Sequence, residues 1–243
     1  MSTEEVLEVA GKKFPLKIYI ERRNNYSAAL RKSGVVIRLP RALPLGERIE
    51  VTQKLKEWAI KKLAEKPHRF NDEPRIQYQD GNILKIREED FLIRFHMQDH
   101  KGSKARLVGN EIHILLAQHL SPELQQQASI QLISKCLSQK FYGWIKEKIQ
   151  SINQLHFRQP IESIHFKHVT SKWGSCSSTG KITLSTRLLF APEKVVEYVC
   201  VHELAHLLEH NHSERFWVNV ERAMPDYKEC RTWLKIHGDQ CKF

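Results

Sequence analysis

His202-Glu203-Leu204-Ala205-His206 places two histidines four residues apart with a glutamate beside the first, and His212 follows shortly after. On a helix, residues four apart lie one above the other on one face. Both imidazoles can then reach a single ion at a Zn–N distance of about 2.0–2.1 Å. With a third protein ligand and a water in the fourth position, Zn(2+) lowers the pKa of that water, and a neighbouring carboxylate takes its proton. The spacing therefore predicts metal-assisted hydrolysis, with Glu203 as general base and His202 and His206 as metal ligands.

Two histidines compete to be the third ligand. His210 lies two helical turns beyond His202, about 12 Å along the axis. Their rings cannot share an ion unless the helix stops. Asn211 tolerates the left-handed conformation that ends helices, and a chain turning there presents His212. His212 is the preferred ligand, and His210 fits a helix-end cation. Glu221 on the next helical segment is a carboxylate alternative. An ordinary core helix with partly exposed histidines is the competing non-catalytic reading.

Several elements must position these groups. The apolar run Val195–Val201 leads into the motif, and Pro192 suits a first helical turn, so a helix is expected over 192–209. Further helices are expected over 213–223 and 227–236. Upstream, 161–169 reads as a strand and 171–189 as a hairpin turning at Ser177-Ser178-Thr179-Gly180. A helical pattern runs from Ser121-Pro122-Glu123 to about Ile152. Before that, Phe14–Glu21 alternates apolar and polar residues, Asn24-Asn25 marks a turn, and Tyr26–Arg38 reads as one or two strands broken near Ser33-Gly34. Leu45–Lys66 is helical and ends at Pro67. Four short alternating segments at 82–88, 91–97, 104–108 and 111–116 suggest an antiparallel meander or small barrel. The fold class expected is α+β, with a strand-rich domain over 1–120 and a metallohydrolase domain over 121–243. No internal repeat stands out.

Composition sets the outer bounds. The chain has 243 residues, and 41% apolar content suffices for a proper core. No apolar run approaches the roughly 18 residues of a membrane span. The first residues, Met1-Ser2-Thr3-Glu4-Glu5-Val6, lack an apolar signal core. Cys136, Cys176, Cys200, Cys230 and Cys241 are odd in number and form no C-x-x-C pair, so a cytoplasmic, reducing setting is expected. The net charge is +11; residues 1–120 hold 23 Lys+Arg against 16 Asp+Glu. Such an excess can attract nucleic acid weakly. Glu21-Arg22-Arg23-Asn24-Asn25-Tyr26 with Arg31-Lys32 is the candidate patch, although one aromatic is thin support for base stacking.

Taken in order, Lys172-Trp173-Gly174-Ser175-Cys176-Ser177, Gly180–Leu184, Tyr198–His206, Asn211-His212-Ser213-Glu214-Arg215-Phe216-Trp217 and Met224-Pro225-Asp226-Tyr227 resemble the YgjP-like metallopeptidase family, relatives of the WLM and SprT-type zincins. The resemblance implies a zincin-like domain with a β element beside the metal helix. It also implies His202, His206 and His212 as ligands, with Glu203 as base. The histidine spacing is similar to the metzincin pattern too, but Glu209 stands where that class has glycine, so its turn is not carried over. The family leaves the substrate open between a peptide or protein and a nucleoside triphosphate cleaved to its monophosphate.

The candidate substrate-binding residues are Trp173, Gly174, Ser175 and Tyr227. A strand at 173–177 could pair with an extended substrate by strand addition, with Gly174 permitting close approach. The same residues could equally form a packing corner. Lys172 and Arg187 could hold phosphates or be surface charges. Tyr227 and His237 are candidate oxyanion donors. Phe216-Trp217 reads as packing that fixes His212.

Overall fold

Apolar residues at every second position, Phe14, Leu16 and Ile18 on one strand and Val35, Ile37 and Leu39 on another, need one shared face to bury. In the computed structural model, which describes residues 2–31, 34–65, 77–98 and 102–243, they share it. The chain divides into two compact units, Met1–Arg75 and Ile76–Phe243. In the first, β1 (Ser2–Val9), β2 (Lys12–Glu21), β3 (Ser27–Arg31) and β4 (Gly34–Pro40) form a sheet of order β1-β2-β4-β3. The central pair β2 and β4 is parallel, and both outer pairs are antiparallel. Helix α1 (Leu45–Glu65) buries Ala59 and Leu63 in the core formed by that sheet's apolar residues.

The second unit opens with the same arrangement. β5 (Ile83–Ile86), β6 (Glu89–Gln98), β7 (Lys104–Val108) and β8 (Glu111–Ala117) take the order β5-β6-β8-β7, and α2 (Pro122–Lys140) follows. The correspondence holds residue by residue at one constant sequence offset. Val6 pairs with Pro15 as Ile83 pairs with Leu92. Leu16 faces Val35 as Ile93 faces Ile112. Ala28 faces Ile37 as Ala105 faces Ile114. The same shift carries Leu45, the first residue of α1, onto Pro122, the first of α2. Even the hairpin turns agree: Ala10 has φ 50° and its counterpart Arg87 has φ 55°. The chain thus carries a structural repeat that its sequence conceals. The antiparallel meander or barrel expected over 82–116 is instead a mixed sheet. After β6 the chain places β7 at the edge and returns as β8 in between, which makes β6 and β8 parallel.

The rest of the second unit builds on this frame. α2 ends at Phe141, and α3 (Tyr142–Ile152) continues in place of the single helix expected to Ile152. A π-turn (Asn153–Phe157) ends with Arg158 in the left-handed region at φ 54°. β9 (Ser163–Lys167), β10 (Gly174–Cys176) and β11 (Lys181–Ser185) form a small sheet of order β10-β11-β9. A 3-10 turn (Thr186–Phe190) leads to α4 (Glu193–Ala205), α5 (Glu214–Ala223) and α6 (Tyr227–His237). One core runs from Ile86, Phe91 and Ile93 through Ile133 and Leu137 to Val196, Leu204 and Phe216. The boundary expected near 117–121 therefore falls inside this unit. The apolar face of β5–β8 is closed by α2, and α2 belongs to the same core as α4. Ser33, Lys66 and Pro67, expected at element ends, and Lys32 of the basic cluster lie outside the described residues. Within that cluster Glu21 is paired with Arg38 at 3.1 Å.

Candidate metal centre

The helix that carries the motif is buried on most sides. Val195, Val196, Val199, Cys200, Val201 and Leu204 all lie in the core. It begins after Pro192, which needs no N–H there. It ends at Ala205, a full turn before the expected Glu209. The reason lies in the hydrogen bonds. The Leu207 N–H donates to Leu204 O at 3.0 Å and Leu208 N–H to Ala205 O at 3.1 Å, which tightens the last turn. The chain then swings round to α5. Ser213 caps that helix by accepting the Phe216 N–H at 3.4 Å, and Asn211 Oδ1 accepts the Ser213 N–H at 3.0 Å. His212 sits immediately before this cap and is turned back toward α4.

One ligand atom from each of His202, His206 and His212 falls within a 4.8 Å span. Nε2 of His202 and Nε2 of His212 are 3.0 Å apart. Two imidazole nitrogens that close either share a proton or face a common ion. His206 Nδ1 lies 3.0 Å from Glu209 O, a carbonyl that takes its N–H and leaves Nε2 for the cluster. Beneath the three rings lies fully buried Phe216, with ring centroids 4.5–4.9 Å away. Trp217 stacks against His212 at 5.8 Å.

The electrostatics favour ligation. Burial first, then the two other histidines, pushes the His202 pKa down to about 3. Burial also lowers that of His206. Both are therefore neutral at physiological pH, the form that binds metal. Glu203 is only 4% exposed, and burial raises its pKa to about 8 against the pull of Lys172. Its Oε2 and His202 Nδ1 are buried without a hydrogen-bond partner. Convergent neutral imidazoles with a buried, unpartnered carboxyl oxygen beside them fit a divalent ion and its water.

The remaining candidates divide. Gly174 lies directly against Glu203, and Ser175 is next on β10, opposite Thr183. Trp173 is held under the Arg187 guanidinium at 4.2 Å. Arg187 donates to Cys241 O, Thr170 O and Gly238 O at 2.6, 3.0 and 2.6 Å, so it ties three segments together and does not stand ready for phosphate. Tyr227 is buried in a stack with Trp217 at 5.4 Å and Tyr198 at 6.3 Å. His237 lies tilted against the Trp233 ring at 5.1 Å. His210 is exposed and outside the cluster, and Glu221 pairs with Lys228 at 3.4 Å.

Other positioning residues escape a sequence reading. Tyr198, one turn before His202, contacts its ring at 5.9 Å. Its place four residues ahead of the first histidine is the only signal it gives. Glu193 in the first turn of α4 is held by Lys148 and Arg87, and Lys148 also reaches Glu197 at 2.8 Å. Arg87 lies over Trp144 at 4.2 Å. This network joins the β5–β6 turn to α3 and the metal helix, across sequence separations that no motif reveals.

An α+β chain that presents three converging histidines and a buried glutamate from one helix and the turn after it has the make-up of a metallohydrolase. A model of the YgjP-like metallopeptidase domain matches residues 24–237, and the chain belongs to that family. Two solved structures are similar over part of the chain. The metallopeptidase zymogen abylysin of Pyrococcus abyssi shares 26% identity over 37% of this chain and 93% of its own, with a TM-score of 0.34. The metallopeptidase zymogen jannalysin of Methanocaldococcus jannaschii shares 24% over 40% and 96%, with a TM-score of 0.33. No curated protein matches the chain. No helix among the described residues is long and apolar enough to cross a membrane.

Proposed function

We propose that this chain is a zinc-dependent peptidase in which His202, His206 and His212 hold the ion and Glu203 is the general base. The observation that carries the reading is the convergence of three imidazoles beside a buried carboxylate with a bare oxygen. A zinc ion held by these three imidazoles would supply Lewis-acid chemistry, polarising the scissile carbonyl and lowering the pKa of water. Glu203 accepts the proton of the attacking water and passes it to the leaving amine. Burial raises this carboxyl to about 8 in the metal-free protein, and a divalent ion held at the neighbouring imidazoles would draw it back toward the ionised form that accepts a proton. Phe216 and Trp217 keep the imidazoles in one geometry.

An extended peptide is the substrate this arrangement suits. β10 is an end strand of its sheet, so its outer edge can add a substrate strand by backbone hydrogen bonds. Ser175 lies on that strand, and Tyr227 stacks on Trp217, which in turn stacks against His212. The engagement of Arg187 by three carbonyls favours a peptide over a nucleoside triphosphate. Five free thiols suit a reducing, cytoplasmic setting.

The test is product mass spectrometry on zinc-loaded wild type and Glu203→Gln, each given unfolded protein and nucleoside triphosphates together. New peptide termini made by wild type alone are expected, with Glu203→Gln retaining zinc and losing at least about 10²-fold in turnover. Nucleoside monophosphates in place of peptides would transfer the same residues to phosphorus chemistry. Full turnover by Glu203→Gln would remove Glu203 from the mechanism.

A further inference from the structure

We propose that Gly174 is a positioning residue that seats Glu203, its missing side chain being the space the carboxylate occupies. A methyl group built on Gly174 would lie 2.5 Å from Glu203 Oε1, 2.7 Å from Cγ and 2.8 Å from Cδ. Carbon is in van der Waals contact at about 3.5–4.0 Å, so any side chain here collides with the whole outer half of the glutamate. The backbone of β10 therefore forms one wall of the seat. Its effect on turnover rests on the peptidase reading above; the seating itself does not.

Strand β10 cannot easily retreat to make room. Gly174, Ser175 and Cys176 pair with Leu184, Thr183 and Ile182. Trp173 O accepts the Ser185 N–H at 2.8 Å. The Trp173 ring is covered by Arg187 on one side, and a methyl on Gly238 would come within 2.7 Å of its Cζ2. Arg187 is in turn fixed by three carbonyls. The glutamate, joined by rotatable bonds, is the part that gives. An alanine at 174 would thus leave the three imidazoles in place and evict the base from its position beside them.

The experiment is a double-mutant cycle on the full chain, read first without any turnover. In thermal unfolding of the metal-free protein, Gly174→Ala is expected to lower Tm by about 4 °C or more in the presence of Glu203. In a Glu203→Ala background, where the colliding atoms are gone, the same change should cost less than about 1 °C. If Gly174→Ala alone does not fold, recovery of folding by Glu203→Ala demonstrates the same coupling. Equal losses in both backgrounds, or no recovery, would overturn the seat.

The second arm reads zinc and turnover. Gly174→Ala should hold zinc within about threefold of wild type in a chelator competition, because no ligand moves. Its kcat should fall about 10²-fold at nearly constant KM, the signature of a misplaced base. Zinc loss in step with kcat, or an unchanged kcat, would overturn the catalytic consequence. A wild type with no peptidase turnover would sink the peptidase reading, while the unfolding cycle would still decide the seat.

Discussion

In the first unit α1 lays Val51, Leu55 and Ala59 against its sheet. At the corresponding positions α2 lays Ala128, Leu132 and Cys136 into its core. Thr52 donates to Arg48 O at 2.7 Å, and its counterpart Ser129 donates to Gln125 O at 2.7 Å. Up to this point the two helices are the same object. They part on a second stripe. Where α1 has Lys56, Glu57 and Ile60, α2 has Ile133, Ser134 and Leu137, all buried. Helix α2 therefore has two buried faces, one for its sheet and one for the half of the unit that carries the metal helix. Helix α1 has one. The comparison teaches that the frame alone does not bring the three histidines together; a second apolar stripe on one helix adapts it to support the candidate metal centre.

The largest expected effect lies on that stripe. Leu137 is 0% exposed, while its counterpart Ile60 is 39% exposed. Leu137→Ala removes fully buried methyl groups and should cost about 2–5 kcal/mol. Ile60→Ala should cost under about 1 kcal/mol. Urea unfolding with hydrogen exchange read separately over the two units measures both. Similar costs would mean that α1 is as deeply embedded as α2, and the contrast would collapse.

That stripe also shows what a sequence can disclose. The helical spacing of His202, Glu203 and His206 and the alternation of the strands are local patterns, and local patterns are legible. Asn211 does not take the left-handed conformation expected of it, the helix having already ended at Ala205. It shapes the turn through its side chain, which accepts the Ser213 N–H. Every strand in 82–116 was foreseeable from alternation; the parallel pairing of β6 with β8 was not, because alternation carries no information about neighbours. The strand β1 has no legible alternation, because Glu4, Glu5 and Glu8 mask its few apolar residues. The repeat stayed hidden for a related reason. Counterparts such as Leu16 and Ile93, or Ile18 and Phe95, keep apolar character and change identity, and the polar positions have no shared constraint. At the candidate site, the spacing of the histidines and glutamate is legible, but the close approach of Gly174 to Glu203 and the tie at Arg187 depend on segments brought together only by folding.

A smaller effect sharpens the same contrast. Ser134 and Thr186 share a buried hydrogen bond of 2.7 Å between α2 and the turn before the metal helix. Ser134→Ala strands the threonine hydroxyl in the core and should cost about 1–3 kcal/mol. Combining it with Thr186→Val removes both partners and should bring the loss nearer to zero than Ser134→Ala alone. The counterpart Glu57→Ala, on an exposed surface, should stay within about 0.5 kcal/mol. A double variant less stable than Ser134→Ala would show that the pair contributes by shape and not by hydrogen bonding.

The finest distinction is at the two hairpin turns, where Ala10 and Arg87 share a left-handed backbone and differ in what the side chain does. A non-glycine residue there carries a steric cost of about 1–2 kcal/mol. Ala10→Gly relieves it, offset by the greater freedom of unfolded glycine, and should gain up to about 1 kcal/mol. Arg87→Gly gives the same relief but loses the contacts to Glu193 and Trp144, and should come out about 1 kcal/mol less stable at pH 7 once solvent screening of the half-exposed Glu193 is allowed for. Lys148 first, and Arg87 second, hold the Glu193 pKa down to about 2. A carboxyl depressed by folding contributes stability above its unfolded pKa, here 4.5, and that contribution is lost as pH falls through the folded value. The difference between wild type and Arg87→Gly should therefore narrow between about pH 4.5 and pH 2, while the Ala10→Gly gain stays flat. Matched urea titrations across that range separate backbone from side chain. A pH-independent loss for Arg87→Gly would assign the second turn's contribution to stacking on Trp144, leaving the charge of Glu193 with no part in fastening the metal helix to the repeat.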